Sequence, residues 1–389
     1  MEIYNHTNIL MGKEIPSPCF VIFEDLLRNN LKTIQYVKQE AGVEIIMAFK
    51  AFALWKIFST IKEFVGHTTA SSLSEARLAK EKFGSPAHVY APVYTDHEFE
   101  EIAQCASHIT FNSLNQFHKF YPKISDKNIS CGLRINPEVS VVETDLYNPA
   151  TAGSRLGILS DSLPKELPEG VDGLHFHVLC ESSSFDLEKV LVEVSRKFDE
   201  QLRQGRWINM GGGHLMTRKG YNIDHLIGVL KAFKQKYPHL KVILEPGAAF
   251  VWQTGVLKST VEDIVENGGI STAMLNVSFA CHMPDCLEMP YQPQIRGAKI
   301  VGDCEVSSAN KYRMGGNSCL SGDFVGDWIF EKSIKIGDTI IFEDMIHYTT
   351  VKTTMFNGVS HPSIGIVRES GEFELLKEFS VEDYFNRMC

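Results

Sequence analysis

Eight short apolar runs, at residues 43–49, 65–70, 88–91, 108–111, 129–135, 171–178, 207–210 and 241–244, recur along the first part of the chain. Most are separated by segments with helical spacing of apolar residues and a charged outer face, such as Ser74 to Lys80 and Asp224 to Leu230. A strand followed by a helix, eight times over, predicts an α/β fold: a parallel (β/α)8 barrel of the TIM type. The first helix is expected after Phe23, where Glu24 and Asp25 precede apolar positions at Leu27, Leu31, Ile34 and Val37. The stretch 137–168 is polar and rich in Pro, Gly and Ser, and reads as a long loop or flap on the catalytic side.

Beyond Phe250 the texture changes. Residues 251–265, 298–306, 339–344 and 349–356 alternate apolar with polar side chains between glycines, which predicts strands of an antiparallel β domain. The expected boundaries are 23–265 for the barrel and 266–389, with 1–22, for the β domain. A 389-residue chain with 44% hydrophobic residues has material for both cores. Its net charge of −10, without a basic run, argues against nucleic acid or anionic lipid as a partner and suits a small cationic substrate. With no signal-like N-terminus and no long apolar span, the expectation is a soluble cytoplasmic protein. The nine cysteines lack paired zinc spacing and read as reduced, mostly buried thiols.

In such a barrel the catalytic groups close the strands at their C-terminal ends. The first run ends in Lys50, where partial desolvation lowers a lysine pKa and permits imine formation with an aldehyde. The sixth carries His175 and His177 on one face, suited to a metal or to stacking on a flat cofactor. The seventh runs into Gly211, Gly212 and Gly213, whose N–H groups can approach a phosphate. The eighth ends in Glu245, a carboxylate that needs a cationic partner such as a protonated pyridine nitrogen. Together these four features point to pyridoxal 5'-phosphate.

On these residues the chain resembles the fold-type III pyridoxal-phosphate enzymes, the alanine racemase and ornithine/diaminopimelate decarboxylase group. The resemblance implies that Lys50 is the Schiff-base lysine and that Ser72-Leu73-Ser74-Glu75 is the second strand's motif. It also implies that His177 stacks on the ring, Gly211–Gly213 hold the phosphate and Glu245-Pro246-Gly247 meets the pyridine nitrogen. The segment from Gly316 to Asp323 is similar to the cysteine-aspartate loop that a decarboxylase homodimer lends to its partner's site. Tyr348, followed by Phe356-Asn357-Gly358, resembles the tyrosine that reaches the phosphate. Two departures stand out: Leu179-Cys180-Glu181 replaces the usual Gly-Ser after the stacking histidine, and Ala248 stands where many members carry a phosphate-binding arginine, leaving backbone amides, Tyr348 and His214 for that task. With the run from Ser278 to Asp285, these departures resemble the carboxynorspermidine/carboxyspermidine decarboxylase branch, which implies polyamine biosynthesis.

The implied chemistry is loss of the α-carboxylate of a carboxylated polyamine, with Lys50 and Cys319 catalytic and Cys319, or alternatively Lys50, reprotonating the α-carbon. Asp285 and Asp323, together with Glu245, are the expected substrate-binding carboxylates, Glu288 a weaker one, and no metal is expected. A diaminopimelate or other basic amino-acid decarboxylase, an amino-acid racemase or a non-catalytic pyridoxal-phosphate carrier would use the same cofactor residues. A metal-dependent barrel hydrolase would explain His175 and His177 but not Lys50 with the glycine run.

Overall fold

A computed structural model describes residues 3–142, 148–302 and 310–389. The chain divides into two units, residues 29–250 and residues 1–28 with 251–389. The first strand, β1 (Cys19–Phe23), belongs to the second unit. A helix over Glu24–Ala41 follows, with the expected acidic first turn and with Leu27, Leu31, Ile34 and Val37 wholly buried along one face.

The unit 29–250 is the barrel. Its strands are β2 (Glu44–Ile45), β3 (Met47–Ala48), β4 (Thr68–Ala70), β5 (Ala87–Tyr90), β6 (Ala106–Phe111), β7 (Ser130–Arg134), β8 (Val171–His175), β9 (Trp207–Asn209) and β10 (Lys241–Leu244). They pair in parallel in the order β2-β10-β9-β8-β7-β6-β5-β4-β3. The run 43–49 is one strand broken at Ile46. The Ile46 N–H donates to Leu244 O at 2.9 Å, while the next, Met47 N–H, donates to His67 O at 3.2 Å. The chain thus changes partner in mid-strand, which closes eight strands on themselves. Each of the eight apolar runs lies on a strand of this barrel.

Trp207 occupies the barrel interior because two neighbours are glycine. A β-carbon at Gly173 would lie 2.1 Å from Trp207 Cδ2, and one at Gly132 would lie 2.3 Å from Cη2. The indole N–H donates to Ser130 Oγ at 2.8 Å, so the polar edge is satisfied as well. Outside the strands, the helix Ile223–Lys236 is capped by Asn222, whose side chain accepts from His225 N–H. The helix at Leu73–Leu78 passes into a wider turn through Phe83 and ends at Gly84, with φ of +78°. In the loop 137–168, residues 143–147 lie outside the described residues. Its later part is tied to the barrel by Asn112, which donates to Arg155 O and accepts from Gly157 N–H.

The second unit contains β1 with β11 (Gly255–Asn267), β12 (Ile270–Leu275), β13 (Ala298–Ile300), β14 (Lys311–Gly315), β15 (Phe324–Phe330), β16 (Thr339–Glu343), β17 (Ser363–Val367) and β18 (Phe373–Lys377). The order is β13-β15-β14-β12-β11-β1-β17-β18, with β16 also on β11. Three expectations need correction. The boundaries fall at 28/29 and 250/251 rather than at 23 and 265, because β11 pairs along its first half with β1, Phe20 opposite Leu257. The sheet is mostly, not wholly, antiparallel, since β1 with β17 and β12 with β14 run parallel. The run 349–356 is not a strand: Tyr348 takes φ of +24°, and the N–H groups of Val351 and Lys352 both turn back to its carbonyl. Of the run 298–306, residues 303–306 lie outside the described residues. Among the described residues, no helix is long and apolar enough to cross a membrane.

Candidate active site

Lys50 lies two residues past the end of β3, and its Nζ lies 2.9 Å from His177 Nε2. The Gly212 N–H donates to the other ring nitrogen, His177 Nδ1, at 2.8 Å. A nitrogen that accepts carries no proton, so the neutral ring bears its hydrogen on Nε2 and donates it to Lys50. That assignment requires a lone pair on Nζ, and therefore a neutral amine. The electrostatics agree. Burial pushes the Lys50 pKa down against the pull of Glu245, with Arg134 adding to the fall, and burial above all holds His177 well below its ordinary value. Desolvation by the barrel thus favours the free amine that this hydrogen-bond pattern calls for, and an uncharged amine is the nucleophilic form.

Gly211 and Gly213 both take left-handed backbone, with φ of +71° and +90°. A β-carbon at Gly213 would stand 2.2 Å from Leu179 O, and one at Gly211 2.5 Å from Phe176 O. The run is therefore a close approach between strand ends that only glycine permits. Its amides are less available than the sequence suggests. Gly211 N–H donates to Asn209 Oδ1 at 2.9 Å and Gly212 N–H to His177, leaving Gly213 as the loop N–H without a partner among the described residues. His214 is buried at the loop's exit, and burial pushes its pKa down to about 4.

Glu245 follows β10, and both of its oxygens are held. His175 Nε2 lies 3.0 Å from Oε1, and Asn209 Nδ2–H donates to Oε2 at 2.9 Å. Burial acts to raise the Glu245 pKa, but the hydrogen bonds from His175 and Asn209 oppose it and the pKa lies below its ordinary value, so the carboxyl stays ionised. His175, whose pKa burial lowers, faces it as a neutral ring. The two histidines thus do different work. His175 supports the carboxylate, while His177 joins the lysine to the glycine loop.

Three residues of this site escaped the sequence reading: Asn209, Arg134 and Tyr90. Arg134 is buried, donates from Nη2 to His177 O at 3.0 Å and lies 4.6 Å over the Tyr90 ring. All three end a barrel strand, which was the available signal. The Ser72 to Glu75 motif is a helix cap, since Ser72 Oγ accepts from Glu75 N–H and the Glu75 carboxylate accepts from Ser71 N–H.

The remaining predicted residues belong to the second unit. Cys319 is exposed, and its N–H donates to Asn357 Oδ1 at 2.9 Å. Asp323 Oδ1 accepts from Ala280 N–H at 2.9 Å and Oδ2 from Ser318 N–H at 3.1 Å. Its carboxylate is the keystone of the Cys319 loop. Asp285 is buried; Oδ2 accepts from Tyr291 and Thr349 hydroxyls, while Oδ1 has no partner among the described residues. Glu288 is paired with Lys352. Tyr348 is half-buried and begins a turn, Tyr348–Thr350.

A neutral lysine, a glycine cradle and an ionised carboxylate at three strand ends define a lysine-dependent (β/α)8-barrel enzyme with an appended sheet domain. Residues 19–346 match the model of the pyridoxal-dependent decarboxylase family described by its C-terminal sheet domain. The chain is 51% identical to a carboxyaminopropylagmatine decarboxylase of Synechocystis sp., with 96% of each chain covered. It is 41% identical to a carboxynorspermidine/carboxyspermidine decarboxylase of Campylobacter jejuni, over 96% of this chain and 98% of that one. The crystal structure of carboxynorspermidine decarboxylase from Campylobacter jejuni, complexed with norspermidine, superimposes with a TM-score of 0.88 at 39% identity, covering 96% of this chain and 100% of the other. The chain belongs to the pyridoxal-dependent decarboxylases and is a carboxy-lyase.

Proposed function

We propose that this enzyme binds pyridoxal 5'-phosphate through Lys50 and removes the α-carboxylate of a carboxylated polyamine. The observation that carries this reading is the chain from the Lys50 amine through His177 to Gly212, set beside an ionised Glu245. The residues present fit the cofactor. Lys50 offers an amine to its aldehyde, the His177 ring offers a flat face, and the turn at Gly211–Gly213, packed against Phe176 and Leu179 so closely that only glycine fits, presents the Gly213 N–H. When bound, the cofactor supplies a conjugated ring that takes up the electrons released with carbon dioxide. Glu245 would hold a proton on the ring nitrogen and the Gly213 N–H would hold the phosphate, with His214 at hand where Ala248 replaces arginine; Tyr348 is the phosphate contact that the family resemblance adds.

Carboxynorspermidine, carboxyspermidine and carboxyaminopropylagmatine share an amino-acid head and a long arm bearing further positive charge. The buried, unpartnered Oδ1 of Asp285 suits one of those charges, an ammonium or the guanidinium of an agmatine arm. Asp323, each of whose oxygens accepts one main-chain N–H, holds the Cys319 loop and keeps acceptor capacity for a substrate charge. In this reading the enzyme is a cytoplasmic homodimer with shared sites, and Cys319 gives its Sγ proton to the substrate α-carbon of a second copy. The 51% identity to the Synechocystis protein supports the agmatine-derived substrate as a specific second reading.

A hydrolase metal would need His175 and His177 on one ion, yet His175 Nε2 faces Glu245 and both nitrogens of His177 are bonded. Two measurements test the proposal. Purified protein should show a visible absorbance band that borohydride bleaches. Carbon dioxide release should be fastest from one of the three carboxylated polyamines in a panel with diaminopimelate, ornithine, arginine and lysine. A colourless protein after incubation with the cofactor, or preferred turnover of diaminopimelate or ornithine, would refute it.

A further inference from the structure

Barrel interiors of this type are ordinarily filled by branched aliphatic side chains. Here the space beneath Glu245 is polar: a cavity of about 10 Å³, room for about one water, is lined by His175, His88, His108, Thr110 and Asn209 among others. The His88 and His108 rings stack with centroids 3.7 Å apart. His88, His108 and Thr110 are not used by the chemistry above. His175 is 1% exposed, with Nε2 on Glu245 and Nδ1 buried without a partner among the described residues. A buried imidazole nitrogen left unpaired is costly, and a polar cavity with several donors and acceptors is where an ordered water repays that cost.

We propose that His175 is a positioning residue for Glu245: a water in this cavity donates to Nδ1 and fixes the Nε2–H tautomer, whose single proton hydrogen-bonds Glu245 and keeps it ionised. Asn209 completes the clamp. Its Oδ1 takes the Gly211 N–H, which turns its amide nitrogen toward Glu245. The groups that act electrostatically on His175 are Glu245 past β10, Arg134 on β7 and Lys50 past β3; His88 on β5 shares the cavity, and burial keeps both histidines neutral. The neutral column accounts for polar residues in the core: it hydrates the cavity without placing a second charge beside the carboxylate.

This inference rests on the assignment of Glu245 to the ring nitrogen, and its first test does not. Nitrogen-15 NMR of histidine-labelled, cofactor-free protein, assigned with a His175→Gln variant, should show His175 as the Nε2–H tautomer at neutral pH. An Nδ1–H or doubly protonated ring would overturn the proposal, as would a high-resolution crystal structure with a dry cavity. In cofactor-loaded protein, His175→Phe removes the hydrogen bond that stabilises ionised Glu245. The acid limb of cofactor retention and of kcat/KM should then move up by about one pH unit, and His175→Gln should restore it. An unmoved limb in a folded Phe variant would also refute the positioning role. If the protein binds no pyridoxal phosphate at all, the NMR result still decides the tautomer.

Discussion

Lys50 Nζ stands 2.9 Å from His177 Nε2, and because His177 Nδ1 accepts from Gly212, this hydrogen bond runs from imidazole to amine. The lysine is thereby defined as neutral by geometry. The same bond ties together a strand end, the stacking ring and the glycine loop, so a change at any of the three is felt by the others.

Lys50→Ala removes the amine and leaves the barrel's apolar layers intact. The variant should fold, lack the borohydride-sensitive band and lose turnover by several orders of magnitude, as loss of a covalent catalyst does. Spectra and carbon dioxide release check this. Substantial decarboxylation by the variant would end the assignment.

Gly213→Ala combines a disallowed φ of +90° with a β-carbon 2.2 Å from Leu179 O. The strain should cost about 1–3 kcal/mol of stability and weaken cofactor affinity in parallel. Denaturant titration and equilibrium dialysis measure the two; wild-type cofactor affinity would contradict the cradle.

Gly173→Ala is a control for the fold alone. Its β-carbon would meet the Trp207 ring at 2.1 Å, so overpacking should destabilise the barrel by about 1–3 kcal/mol. Combining it with Trp207→Phe should recover part of the loss. Equal stability of single and double variants would contradict the clash.

Asp285→Asn keeps the shape but removes the charge. KM for a polyamine substrate should rise at least tenfold with little change in the absorbance band, whereas Asp323→Ala should lower kcat by loosening the Cys319 loop. An unchanged KM in Asp285→Asn would remove that residue from substrate recognition.

His108 and His214 are held at about 4 in the fold, against an ordinary 6.5. Between those values the unfolded chain binds protons that the folded rings refuse. Stability is thus full above 6.5 and falls as the pH drops toward 4, by up to about 1.4 kcal/mol per pH unit for each ring. Denaturation midpoints across this window should fall with acid, and His108→Phe should flatten part of the slope. A flat wild-type profile would contradict the buried, neutral state.

Much of the barrel was legible because its signals are local. An apolar run and a helical period are read within a few residues, and strand ends identify the mouth, which brought Lys50, His177, Gly211–Gly213 and Glu245 into one list. The sheet domain was less legible, because its pairings join segments far apart, such as Cys19 with Lys258 and with Ser363. The run at 349–356 shows the limit of propensity, since β-branched residues there follow a turn imposed at Tyr348.

The sequence by itself determined which chemical groups lie at the barrel mouth, since strand order and side-chain alternation follow from its period. Only the tertiary structure decided what state those groups are in. Whether Lys50 is an ammonium or an amine, and whether Asp323 is free or committed, depends on partners distant along the chain. Hydrogen-bond direction and desolvation arise only when those partners meet.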